Sequence, residues 1–126
     1  QRNVVAVESD LRSQVPLRAL GVAVIALPME EAFSLLPAQR PAGVVADPPR
    51  RGLGACAARL AALHAPKTVL VFCEPEAIGR DLPYFLKAGH VVERIVPMDF
   101  FGGTPEVETL VFLRGQVHPI DTFERS

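Results

Sequence analysis

The sequence is short of several features, and each shortage narrows what the chain can be. No apolar run approaches the roughly 20 residues that a helix needs to cross a bilayer, so no membrane span is expected. The opening Gln1-Arg2-Asn3-Val4-Val5 has neither a charged leader nor a small-residue cleavage site, and no secretion signal is read there. An excess of charge is also missing. Thirteen basic residues stand against fourteen acidic ones, a net charge of −1, which offers no general attraction for phosphate backbones. Two cysteines, Cys56 and Cys73, lack the spacing of a zinc ribbon and the framework of a small secreted scaffold. Reduced thiols in the cytoplasm, and no bound metal, are the expectation. Repeats and low-complexity segments are absent, and the twelve prolines are scattered along the chain at element ends.

What is present suits a globular α/β fold. The chain has 126 residues, 49% of them hydrophobic, enough to bury roughly two-thirds of the unfolded surface. Continuous apolar runs at 3–7, 22–27, 43–46, 67–72, 91–96 and 107–113 predict strands covered on both faces. Helix-length stretches at 11–20, 29–36, 53–64 and 76–88 lie between them. This alternation predicts a mostly parallel sheet with crossover helices. The last two runs leave no room for a helix, so they should be antiparallel neighbours. Ser9 or Asp10 is expected to cap the first helix, and Gly21 and Gly89 to stop the first and fourth. Pro16 should weaken the first helix, and Pro83 should kink or restart the fourth. The domain is read as 1–114, with 115–126 a C-terminal tail.

Ligands of open parallel sheets bind at the carboxyl ends of the strands, and polar groups gather there. Glu8 ends the first run, where a carboxylate can accept from ribose hydroxyls. Asp47-Pro48-Pro49-Arg50-Arg51-Gly52-Leu53 ends the third; its prolines fix an extended turn with Asp47 at the strand tip. Arg50 and Arg51 are either phosphate contacts or solvated surface. Cys73-Glu74-Pro75 ends the fourth run, so the thiol is either a core group or a nucleophile at a helix N-terminus. Cys56, within an Ala-rich helix, reads as core, and His64, His90 and His118 lack ligand spacing. Asp99 follows the fifth run. Alternation sends Glu106 and Glu108 to one side of the last strand, as exposed acids or with one as a general base.

Four stretches, in order and spacing, resemble the S-adenosylmethionine-dependent RNA uridine-C5 methyltransferases, which form 5-methyluridine. They are Val5-Ala6-Val7-Glu8, the Asp47 to Leu53 turn, Cys73-Glu74-Pro75 with Arg80-Asp81-Leu82, and Pro97-Met98-Asp99-Phe100-Phe101 leading to Thr104 and Val107-Glu108. The resemblance spans most of the chain and corresponds to the C-terminal, catalytic portion of the family. It implies a Rossmann-like sheet with a C-terminal antiparallel strand, S-adenosylmethionine as cofactor, and tRNA or rRNA as partner. It also assigns roles: Cys73 as nucleophile toward uracil C6, Glu108 as the base that removes the C5 proton, Glu8 on the cofactor ribose and Asp47 in the cofactor and target pocket, while Pro28 lies near where the family's acidic residue would meet the adenine. Arg50 and Arg51 would face RNA.

The chain departs from the family pattern at defined places. The usual first strand and glycine-rich loop do not precede Val4, and Phe72, Glu74 and Glu106 replace the customary Ser, Asn and His. Glu74 opposes thiolate formation next to it. The alternative reading is therefore a degenerate, non-catalytic RNA-binding or assembly module. Without a first strand, either an N-terminal part of a parent chain fills the middle of the sheet, or residues 4–7 pair directly with 44–46.

Overall fold

The computed structural model describes residues 4–99 and 107–116, and the chain forms two compact units, Gln1–Ala38 and Gln39–Ser126. The first unit contains β1 (Val5–Val7), α1 (Leu11–Ala19), β2 (Ala23–Ile25), α2 (Met29–Ala32) and a 3-10 turn, Phe33–Leu35. β1 and β2 are parallel, with Val5 opposite Ala23 and Val7 opposite Ile25, and α1 is their crossover. Asp10 is the cap: its Oδ1 accepts the Arg12 N–H at 2.9 Å, satisfying one of the donors a helix start leaves open. The Arg12 guanidinium lies 3.1 Å from Asp10 Oδ2 and holds that carboxyl below its ordinary value. α1 runs through Pro16 and ends before Gly21, whose φ is +80°.

The second unit contains β3 (Gly43–Ala46), α3 (Cys56–Ala61), β4 (Lys67–Phe72), α4 (Pro75–Lys87), β5 (Val91–Met98) and β6 (Glu108–Arg114). Its sheet has the order β3-β4-β6-β5. β3 and β4 are parallel, while β6 runs antiparallel to both β4 and β5. The final strand thus lies between two parallel strands, the mixed sheet that the apolar runs predict. Ala46, Thr68, Leu70, Phe72, Val111 and Leu113 are buried with Cys56, Ala57, Leu60 and Ala61 of α3 and Ala77 and Phe85 of α4. Cys56 is therefore a core residue, and alternation leaves Val45 76% exposed on the other face. Buried His90 joins the helices: its Nε2 lies 3.0 Å from Ala61 O, and its ring meets His64 and Phe85.

Several expectations are corrected in detail. α4 does not restart at Pro83 but runs through it from Pro75 to Lys87, with Ala77, Asp81 and Phe85 buried and the proline exposed. α3 is shorter than 53–64: Gly54 and His64, at φ +58° and +51°, bracket it with non-helical backbone. β5 continues to Met98 through Pro97, tolerated because β5 is an edge strand. The strands form two separate sheets, so the direct pairing of 4–7 with 44–46 is not made. Glu106, Phe100, Phe101, Thr104 and His118 lie outside the described residues.

Candidate active site at the strand tips

In the first unit the two expected cofactor positions follow parallel neighbours. Glu8 extends β1, its N–H donating to Ile25 O at 3.1 Å. Its Oε1 accepts the Asp10 N–H at 2.9 Å, and its carbonyl accepts from Gln14 Nε2 at 2.9 Å. Gln14 is buried. These bonds fix the carboxylate at the strand end with a second oxygen that can accept from a diol. Pro28 caps α2, its carbonyl accepting the N–H groups of Glu31 and Ala32 at 3.0 and 3.1 Å. It offers an adenine only a ring face, having no N–H.

In the second unit the register of four strands brings the remaining candidates to one sheet end. Ala46 pairs with Leu70, so Asp47 leaves β3 alongside the end of β4. Phe72 pairs with Thr109, so Cys73, just past the end of β4, and Glu108, the first residue of β6, lie at the same end of the sheet. On the far side of β6, Glu108 pairs with Met98, and Asp99 follows. Cys73 and Glu108 are partly buried, whereas Asp47, Arg50 and Arg51 are exposed. The thirteen-residue α4 starts at Pro75, with Glu74 as its N-cap and no capping bond from the Glu74 side chain.

The turn between Asp47 and Leu53 is fastened from α4, a connection that strand periodicity does not reveal. Gly52 N–H donates to Pro49 O at 2.8 Å, closing the turn at a glycine with φ +85°. Leu53 N–H donates to Asp81 Oδ2 at 2.6 Å, and Arg80 Nη2 donates to Arg51 O at 3.1 Å. Among the described residues no three His, Cys, Asp or Glu side chains are grouped to hold a metal, and no helix is long and apolar enough to cross a membrane.

Comparison with known proteins places this geometry in context. No protein-family profile matches the chain. An uncharacterized RNA methyltransferase of Clostridium tetani is 38% identical over 77 residues, covering 60% of this chain and 17% of that protein. A 23S rRNA (uracil(1939)-C(5))-methyltransferase of Halomonas elongata is 33% identical over 85 residues, covering 68% of this chain and 17% of that protein. The chain thus spans less than a fifth of the length of these curated relatives. Among solved structures, the Pyrococcus abyssi tRNA (uracil-54, C5)-methyltransferase in complex with S-adenosyl-L-homocysteine matches with a TM-score of 0.70 and 24% identity, over 88% of this chain and 28% of that one. Aeropyrum pernix fibrillarin with bound S-adenosyl-L-methionine matches with a TM-score of 0.65 at 14% identity, over 88% of this chain and 55% of that one. The Rossmann-like methyltransferase fold and the resemblance to a portion of the RNA uridine-C5 methyltransferases are both borne out.

Proposed function

We propose that this chain, similar over most of its length to RNA uridine-C5 methyltransferases, is the catalytic portion of such an enzyme, acting on tRNA or rRNA in the cytoplasm. The observation that supports the proposal is the β4–β6 register, whose last pair, Phe72 with Thr109, leaves Cys73 and Glu108 at the same end of the sheet. Residues 1–114 form the catalytic portion, and an N-terminal part of the parent chain completes it.

The Cys73 thiolate attacks C6 of a uracil turned out of its stack. As the S–C6 bond forms, the C5–C6 π electrons move toward O4, and C5 becomes nucleophilic. Bound S-adenosylmethionine supplies the methyl group. Glu108 then takes the C5 proton, the S–C6 bond breaks, and the electron pair returns to sulfur as the double bond re-forms. The candidate residues' chemistry fits that cofactor: in the first unit the anchored Glu8 carboxylate suits a ribose diol and the Pro28 ring is compatible with an adenine face, and in the second Asp47 stands at the tip of β3. Arg50 and Arg51, exposed on the turn, suit the phosphates of an unpaired RNA loop.

The test is covalent trapping with 5-fluorouridine RNA and S-adenosylmethionine, because fluorine at C5 cannot leave as a proton and the adduct persists. Cys73→Ala should abolish both the adduct and methylation. Glu108→Gln should retain adduct formation and slow product release by about 10²–10⁴-fold, the usual contribution of a general base. Full methylation by Cys73→Ala would overturn the mechanism; RNA binding without any adduct in the wild type would favour a non-catalytic module.

A further inference from the structure

We propose that Arg80 and Asp81 are positioning residues that clamp the Asp47 to Leu53 turn onto α4, and so hold Asp47 and Arg50 in place at the sheet end that carries Cys73. The proposal rests on the function above. Ala77, Asp81 and Phe85 are the buried residues of α4, spaced four apart on one face as a core stripe requires. A carboxylate in the middle of that stripe, 2% exposed, is costly unless partnered, and an apolar residue would serve the core better. Its partner is a backbone group 28 residues earlier: Leu53 N–H, at 2.6 Å, the short distance of a charge-assisted bond.

Gly52 reinforces the assignment. A Cβ there would collide with the Asp81 carboxylate, and φ is +85°, so the turn and the acid fit only with glycine between them. Arg80, one residue earlier and exposed, adds a second bond to the same turn through Arg51 O. The two side chains thus hold consecutive parts of a single loop. α4 itself begins two residues after Cys73. One rigid helix therefore carries both the cysteine's strand tip and the anchor of the Asp47 turn, which is how supporting groups fix a reacting constellation.

The experiment uses the full-length protein as wild type, Asp81→Ala, Asp81→Asn and Arg80→Ala. Amide hydrogen exchange at Leu53 reads the clamp directly. The single-turnover rate of Cys73 adduct formation, with enzyme in saturating excess so that an unfolded fraction does not alter it, reads its consequence. Asp81→Ala should speed exchange at Leu53 by about tenfold or more and slow adduct formation by about 10–100-fold, as misplacement by an ångström does. Asp81→Asn, which keeps an acceptor oxygen, should recover most of both. Arg80→Ala, at an exposed position, should leave the fold intact and slow the adduct severalfold. Unchanged exchange in Asp81→Ala overturns the clamp, and faster exchange with an unchanged adduct rate overturns its positioning role. Absence of any adduct in the wild type overturns the proposed function instead, while exchange at Leu53 still decides the clamp.

Discussion

The two units differ in how much they bury. In Gln39–Ser126 the side chains of Leu70, Phe72, Phe85, Val111 and Leu113 are fully enclosed, whereas among the described residues of Gln1–Ala38 only Gln14 and Ala32 are buried. Val4, Leu11, Val15, Leu20 and Leu35 are exposed. Hydrophobic stabilisation scales with apolar area removed from water, so the larger unit holds its shape by packing. The smaller relies on short-range devices: the Asp10 cap, the Gln14 to Glu8 bond and one pair of three-residue strands. The candidate residues are thus divided between differently buried units, for Glu8 belongs to the less enclosed one and Cys73 to the packed one.

The contrast would be broken most sharply by Phe85→Ala. The residue is 0% exposed, and its truncation should cost about 3–5 kcal/mol in urea unfolding; a loss near that of a surface change would mean that the larger unit has no close-packed core. Gly52→Ala should destabilise by on the order of 1–3 kcal/mol, the usual cost of a strained backbone position, again seen as a lower denaturation midpoint.

Asp10→Ala should reduce helicity in the first unit, measured by chemical shifts along α1. That effect carries a pH signature. The folded Asp10 carboxyl sits below its ordinary value because of Arg12, so its contribution is present above that ordinary value and fades as pH falls through the lowered one. The variant should lack this acid-side change. Smallest of all, Leu20→Ser at a 79% exposed position should shift stability by no more than about 0.5 kcal/mol; a larger loss would show that the first unit packs more than its burial indicates.

Much of this was legible from residue order because buried strands and their tips write themselves as apolar runs followed by polar groups. The segments 43–46 and 67–72 coincide with β3 and β4, and the core assignment of Cys56 follows from its helix. The short α3 was not legible, since Leu53 reads as a helix former until its N–H is committed to Asp81. Pro83 misleads in the opposite direction, reading as a local breaker where α4 runs on with Ala77, Asp81 and Phe85 buried. Asp81 itself looks like a solvated acid in a helix. Only the tertiary contact, 28 residues back along the chain, gives it a partner.

The central placement of β6 also governs the order in which the site can come into being. Lys67 is hydrogen-bonded in register with Arg114, and Phe72 with Thr109. A ribosome-bound chain that has emerged only as far as α4 therefore has Cys73 but not Glu108, and a β4 with one edge still unpaired. Pairings between distant segments form late and slowly. Cys73 and Glu108, the groups proposed to react, come to one sheet end only when the last strand pairs with both β4 and β5, so closure of the sheet and assembly of the proposed site are the same event.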